Sequence, residues 1–358
     1  MKLLAFTKYD REAASTRVRL LQYVPALAAA GIEVEQRSLL GNDYVRSLAG
    51  GAPASRLAIA RAYARRLRDI IRQPDADVLW VYAELLPWLP AGFERLLLRH
   101  RVPVVYDWDD AFFVPYDEHR SPLVRRFLGG KLNPLLRGAA SVTCGNGYLR
   151  DHAARFNSHT LVVPTVVDTD RYVPTSGAQD GVPVIGWIGS PTTWANVRPL
   201  LPSLKRLHDE LGVRIRAVGA GAAAAADSFD GLELVDWSEA REIAEVQGFT
   251  IGIMPLIDAA FQRGKSGYKL VQYMACGLPT VASPVGVNSE IVTQSETGLL
   301  ATGEAEWEAA LRRLLGDAGM RAGMGQAGRA RAVADYSLAS QAPRLIELVR
   351  SLKPSARA

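Results

Sequence analysis

The sequence predicts an α/β protein built from two doubly wound, parallel-sheet domains in tandem. Three observations carry this. The chain has 358 residues, and at roughly 100–200 residues per domain that length fits two units, each able to bury its own core. Short apolar runs alternate with longer amphipathic stretches along the whole chain, the pattern of βαβ units around a parallel sheet. A polar, turn-forming stretch, Pro174-Thr175-Ser176-Gly177-Ala178-Gln179-Asp180-Gly181, interrupts the alternation, which then restarts; it reads as an interdomain linker.

In the first half, Leu3–Phe6 reads as a strand and Arg17–Ala30 as a helix stopped by Gly31. Ile32–Gln36 follows as a strand and Ser55–Gln73 as an Arg-rich helix. Asp77–Val81 and Val102–Asp107 are short apolar runs after polar or proline-containing turns, hence buried strands. Ser141–Cys144 and Thr160–Val163 complete the set. In the second half the strands are Val184–Ile188, Arg214–Val218, Leu232–Val235, Thr250–Met254 and Thr280–Ser283. The intervening helices fall near Val197–Leu211, at Glu239–Val246 and from Lys269. Trp307–Leu315, Met320–Asp335 and Ser340–Leu352 are helical. No short repeat period is present, which excludes a solenoid.

Composition excludes several function classes. Net charge is +5, a mild basic excess too diffuse for nucleic-acid binding. The two cysteines, Cys144 and Cys276, lack disulfide-framework or metal-ligand spacing and fit a reducing cytoplasm. Four apolar residues at the N-terminus are too few for a signal-peptide core, and no run approaches a membrane span. The five histidines are scattered, and no metal-ligand cluster is visible. Gly219-Ala220-Gly221-Ala222-Ala223-Ala224 fits a loose dinucleotide-binding pattern. It is not on the first strand of its half, and the next strand near Leu232 leaves too little room for a full crossover helix.

The informative stretch runs from Gly252-Ile253-Met254-Pro255-Leu256 through Gly264-Lys265-Ser266-Gly267-Tyr268-Lys269-Leu270-Val271-Gln272-Tyr273-Met274-Ala275-Cys276-Gly277-Leu278-Pro279 to Val281-Ala282-Ser283-Pro284-Val285-Gly286. A strand enters a glycine-containing loop with two lysines, and a helix opens at the second lysine. Free helix N–H groups, the helix dipole and ammonium charge then face one place, which suits a pyrophosphate. Glycines there let the backbone approach a ligand closely.

This string resembles the donor-binding motif of the family 4 retaining glycosyltransferases, roughly K-x-x-E-x-M-A-x-G-x-P followed by V-x-A-S-x-x-G. Pro164-Thr165-Val166-Val167-Asp168 with Tyr172 and Pro174, and Thr297-Gly298-Leu299-Leu300, match further segments of that family. The resemblance implies the GT-B architecture: two Rossmann-like domains facing a cleft, with a last helix crossing back to the first domain. It implies an acceptor-binding domain over 1–175, a donor-binding domain over 182–338, and the returning helix within 339–358. The implied activity is retaining transfer of a hexosyl group from a nucleoside diphosphate sugar to a hydroxyl acceptor, a glycan or glycolipid of cell-surface polysaccharide assembly. No cofactor and no catalytic metal are implied.

Carried over by position, Lys269 matches the phosphate-binding lysine. Gln272 stands where a glutamate usually holds the ribose; it keeps an acceptor oxygen but not the charge. The family's other donor-site glutamate aligns near Gly264, so the two-glutamate signature is absent. The family's arginine and lysine after the first strand of the second domain are replaced by Gly186-Trp187-Ile188-Gly189-Ser190-Pro191-Thr192-Thr193. Arg263 and Lys265 are candidates for the missing positive charge, and Gly267, Gly189 and Ser190 for backbone contacts to the diphosphate. Tyr106-Asp107-Trp108-Asp109-Asp110-Ala111 follows a strand on a loop facing the cleft; Asp109, with Asp110, is the catalytic candidate. Asp107, Asp109 and Asp110 also suit caps and turn formers after a strand, the commonest place of aspartate there. Ser15-Thr16-Arg17-x-Arg19, near the first strand end, offers Arg17 and Arg19 as contacts to acceptor or phosphate, or as residues that cap and flank a helix.

Trp187 and Trp237 suit either stacking on a ligand or core packing. Arg120–Arg137 mixes Arg125, Arg126, Lys131 and Arg137 with Leu123, Phe127, Leu128, Leu132 and Leu135, and fits either peripheral contact with an anionic membrane or an ordinary surface helix. The expected location is cytoplasmic, at most peripheral on the inner face of the membrane. Two competing readings remain: a nucleotide-sugar epimerase or hydrolase on the same fold, and a non-catalytic nucleotide-sugar-binding scaffold.

Overall fold

In the first half of the chain, β1 (Lys2–Tyr9), β2 (Glu33–Leu40), β3 (Val78–Tyr82), β4 (Val104–Trp108), β5 (Ser141–Cys144) and β6 (Thr160–Val162) form one sheet, in the order β2-β1-β3-β4-β5-β6. In the second half, β7 (Val184–Ile188), β8 (Arg214–Val218), β9 (Leu232–Val235), β10 (Ile251–Met254), β11 (Thr280–Ala282) and β12 (Gly298–Leu300) form another, in the order β12-β11-β10-β7-β8-β9. Every pairing is parallel. This computed structural model describes residues 1–49, 54–72, 75–175 and 181–352. Gln73, linker residues 176–180 and the tail beyond 352 lie outside the described residues.

The central strands β3, β4 and β7 are buried at every position, as strands covered by helices on both faces must be. Strand order reverses between β1 and β3 in one sheet and between β7 and β10 in the other. At such points the loops leaving the carboxyl ends part to either side and open a crevice. The two crevices supply the walls of the cleft.

The helix Tyr268–Ala275 is seated over the second crevice by Tyr273. Its ring packs on Gly252, where an added Cβ would lie 2.3 Å from ring carbon. Its hydroxyl accepts from the Ile188 amide (3.2 Å) and donates to the Ile253 carbonyl (3.3 Å). One side chain therefore ties the helix to both strands flanking the reversal, fixing where Lys269 and Gln272 project.

The last helix, Leu338–Ser351, returns to the first domain. Ala342, Leu345 and Val349 pack with Leu20, Tyr23 and Leu27, and Arg350 donates to the Ala30 carbonyl (2.6 Å). The outgoing passage lies ahead of the polar stretch: Val166 belongs to the core of the first domain, whereas Val167 and Tyr172 belong to that of the second.

Proline accounts for the main departures in secondary structure. The single helix expected over Arg17–Ala30 is a helix Ala14–Arg19, a 3-10 turn Leu21–Tyr23 and a helix Val24–Ala29, because Pro25 lacks the N–H and crowds the preceding turn. Pro199 and Pro202 likewise split the Val197–Leu211 segment, whose regular helix is Leu201–Leu211. Within Thr297–Leu300, matched above only by family resemblance, Gly298–Leu300 forms the edge strand β12. Ala222–Asp227, which begins within the loose glycine pattern, is only a 3-10 turn.

Candidate active site

The cleft encloses a cavity of about 210 Å³ that draws residues from both domains. From the first domain come Ser15, on the helix after β1, and Asp109 and Asp110, on the loop after β4. The second contributes Gly189, Ser190 and Thr193 after β7, Trp237 after β9, and Lys265 through Lys269 with Gln272 around the start of the Tyr268–Ala275 helix. Of the expected site residues, Asp109, Asp110, Lys265, Gly267, Lys269, Gln272, Gly189 and Ser190 are thus brought together.

Lys269 is half-buried, and among the described residues its ammonium has no ion pair and no side-chain hydrogen bond. It stands 5.7 Å from the Trp187 ring centroid. Burial, then the neighbouring Lys265, lowers its pKa from 10.5 to about 8, with Asp110 opposing. Gly267 begins the helix with φ +71°, and a Cβ there would lie 2.2 Å from Ile291 Cδ1, so glycine is required on both counts. No side chain caps this first turn, which leaves backbone donors on the cavity side.

Lys265 reaches across the cleft to Asp110 (3.1 Å), and its carbonyl accepts from Asn146 Nδ2 (2.9 Å). The domains also touch where Gly264 meets Ala111. An added Cβ at Gly264 would be 2.6 Å from both the Ala111 amide nitrogen and its Cβ. The place of the family's other glutamate is therefore occupied by the opposite domain.

Asp109 is buried, and its Oδ1 accepts from the Tyr82 hydroxyl (2.6 Å). Burial and the adjacent Asp110 push its pKa from 3.8 up to about 7, against the pull of Arg19. Both protonation states are then accessible near neutrality, which suits proton transfer.

Four expectations need correcting. Arg263 pairs with Asp258 (2.7 Å) on the exposed surface and does not line the cavity. Arg19 is sequestered: both guanidinium edges are engaged by Asp107 and the Val163 carbonyl (2.7 Å), with Thr143 also donating to Asp107 (2.6 Å). It is buried under the sheet and lines neither cavity of the cleft. Arg17 is likewise committed, to the Arg11 and Glu12 carbonyls (3.0 and 3.1 Å) and across the cleft to Glu242 (3.4 Å), its guanidinium lying 4.5 Å from the Trp237 ring centroid. The amides of Gly189 and Ser190 are also occupied, by the Val218 carbonyl (2.9 Å) and Thr193 Oγ1 (3.0 Å); this loop presents hydroxyls to the cavity instead.

Glu242, Tyr172, Tyr268 and Tyr82 were not anticipated as site residues. Glu242 begins the helix Glu242–Gln247 and is buried among polar partners. A sequence signal existed in Trp237-Ser238-Glu239-Ala240-Arg241-Glu242, where charge and an aromatic follow a strand end, but helix-start glutamates are ordinarily solvated.

In the Arg120–Arg137 segment, Leu123 and Phe127 on the helix Pro122–Leu128 are 66% and 67% exposed. Lys131 leaves the basic surface: it is buried against Glu94 (3.1 Å) and the Leu86 carbonyl (2.7 Å). Among the described residues no helix is long and apolar enough to cross a membrane.

Residues 182–317 match a family described as "Glycosyl transferases group 1". No curated protein matches the chain. Among solved structures, sucrose-phosphate synthase from Thermosynechococcus elongatus is similar at TM-score 0.74 and 16% identity, covering 98% of each chain. A glycosyltransferase from Rickettsia africae aligns at 0.70 and 12%, covering 99% of each. Anabaena HepE, solved with UDP and glucose, aligns at 0.72 and 15%, covering 98% of this chain and 100% of that one. The fold is GT-B. The family match over the second domain, with that fold over the whole chain, supports a glycosyltransferase.

Proposed function

We propose that this chain transfers a hexosyl group from a nucleoside diphosphate sugar to a hydroxyl acceptor, a glycan or glycolipid, with retention. One observation carries the reading: Lys269, an ammonium with no ion pair among the described residues, opens an uncapped helix at a cavity between two domains. A lone lysine pushed down in pKa is an incomplete electrostatic arrangement, and a diphosphate completes it. The match to the group 1 glycosyl transferases lies over this part of the chain, and HepE, of the same fold, has been solved with UDP and glucose. Retention is supported by the motif resemblance.

In this reading the second domain holds the donor. Lys269 and the helix start stabilise the negative charge that develops on the diphosphate as the bond to the sugar breaks. Gln272 faces the ribose, and the Ser190 hydroxyl lies beside the phosphates. Asp109, from the opposite wall, takes up the acceptor's proton or stabilises positive character on the sugar. Lys265 and Asp110 keep the walls together, so water is excluded while the sugar is in transit. The charge is handled by lysine and helix without a metal or cofactor. The acceptor approaches from the first domain, and the exposed Leu123 and Phe127, flanked by Arg120, Arg125 and Arg126, rest on an anionic membrane at its cytoplasmic face.

Thermal shift with UDP, GDP, ADP and TDP tests the reading. A selective rise in melting temperature, lost in Lys269→Ala, is expected. No shift with any of them at millimolar concentration would overturn it and favour the scaffold reading.

A further inference from the structure

A second interdomain cavity, of about 390 Å³, lies behind the first, and Val18, Glu242 and Tyr268 form the wall the two share. Glu242 is the polar centre of that wall. Its Oε1 accepts from the Tyr172 hydroxyl (2.5 Å), Gln272 Nε2 (2.8 Å) and the Tyr268 hydroxyl (3.3 Å). Its Oε2 accepts from Trp237 Nε1 (2.7 Å) and, from the first domain, Arg17 Nη2 (3.4 Å). The carboxylate has no lone pair left for a ligand.

What it does instead is fix Gln272. An ionised carboxylate only accepts hydrogen bonds, so Gln272 must turn its NH₂ toward Glu242. The second amide proton goes to the Tyr172 hydroxyl (3.1 Å), which itself donates to Glu242. The amide orientation is thereby determined. Among the described residues Gln272 Oε1 has no hydrogen-bond partner, and Gln272 lines the donor cavity. A glutamate at 272 would set a second carboxylate 2.8 Å from the first, and two such charges cannot share a buried site without a proton. Glutamine at 272 and glutamate at 242 are therefore a matched pair.

We propose that Glu242 is a positioning residue for the donor: it aims the Gln272 carbonyl at the vicinal hydroxyls of a nucleoside diphosphate. Its Arg17 contact ties that aim to the first domain. The inference rests on the nucleoside diphosphate reading above.

The test is calorimetric binding of whichever of UDP, GDP, ADP or TDP the native protein takes, and of its 2′,3′-dideoxy analogue. The proteins are the native chain, Glu242→Gln, Gln272→Glu and the double variant. Each single variant is expected to bind at least roughly ten-fold more weakly. The double variant restores one amide beside one carboxylate and should recover to within about three-fold. Removing the ribose hydroxyls should cost the native protein about ten-fold and Glu242→Gln much less, as coupled groups do. Single variants that bind like the native chain overturn the proposal, as does a folded double variant no better than the weaker single one. An analogue bound by the native protein as tightly as its parent also overturns it, without any variant. A native protein that binds no nucleotide would instead overturn the functional reading beneath it.

Discussion

Replacing Lys269 by alanine removes the charge on which the proposed donor site depends. In the free protein its ammonium is held at about pKa 8 against an ordinary 10.5. That fall corresponds to about 3 kcal/mol of unfavourable interaction in the charged form. A diphosphate within hydrogen-bond reach relieves most of it, so the lysine contributes about 2–3 kcal/mol to binding, or roughly 30- to 150-fold in Kd. The direction with pH follows. Free Lys269 loses its proton as pH rises through about 8, whereas the complex keeps it to higher pH. Affinity is flat just below pH 8 and then falls by up to about ten-fold per pH unit, and binding at pH 9 takes up a proton. Titration calorimetry at pH 9 in two buffers of different ionisation enthalpy measures that uptake. The native protein should show it, and Lys269→Ala should show none. A variant Kd within about two-fold of native, or a native affinity indifferent to pH between 7.5 and 9.5, would refute the reasoning.

Asp109→Asn should separate stability from activity. Below the unfolded carboxylate's pKa, near 4, Asp109 is protonated in both states and the substitution is neutral; above about 7 the native protein holds a buried charge that asparagine lacks. The variant is therefore expected to be more stable at pH 8 by up to about 4 kcal/mol in urea unfolding, and to have lost at least about 100-fold in turnover. A destabilised or fully active variant counts against the assigned role. Gly264→Glu, which supplies the family's missing carboxylate, should weaken nucleotide binding, because Ala111 leaves no room for even a Cβ; tighter binding would show that the cleft contact is not closed in solution. Leu123→Ser with Phe127→Ser should abolish sedimentation with phosphatidylglycerol vesicles while leaving nucleotide affinity unchanged. Retained vesicle binding would place any membrane contact elsewhere.

The sheets were legible because strands buried on both faces are mostly apolar, as Val184–Ile188 is, and strands with one open face alternate, as Arg214–Val218 does. Ser141–Cys144, Val184–Ile188, Arg214–Val218 and Leu232–Val235 have the expected bounds. β12 was not, since three residues opening with Gly298 carry no periodicity. In the site, Lys269 and Asp109 stood out because each follows a strand end in a charged, glycine- or aspartate-rich loop. Glu242 did not, because its meaning depends on Arg17, Tyr172 and Gln272, which are far from it in sequence and only meet through the domain arrangement. Arg17 and Arg19 show the converse. Two arginines two residues apart look alike in a sequence, yet the helix turn sends one across the cleft and the other under the sheet.

The two passages of the chain between the domains are bonded to each other: the Val167 amide donates to the Tyr336 carbonyl (3.1 Å) and the Leu338 amide to the Val167 carbonyl (2.8 Å). Two separate tethers would allow tilt, twist and slide. Tethers stitched at one point act as a pivot pin and leave a single easy rotation, like a pair of tongs. Arg17 and Glu242 border the same cavity as Val167 and Leu338, so their contact across the cleft lies beside the stitch. A rotation about that stitch would displace this contact less than the parts of the cleft that lie farther from it.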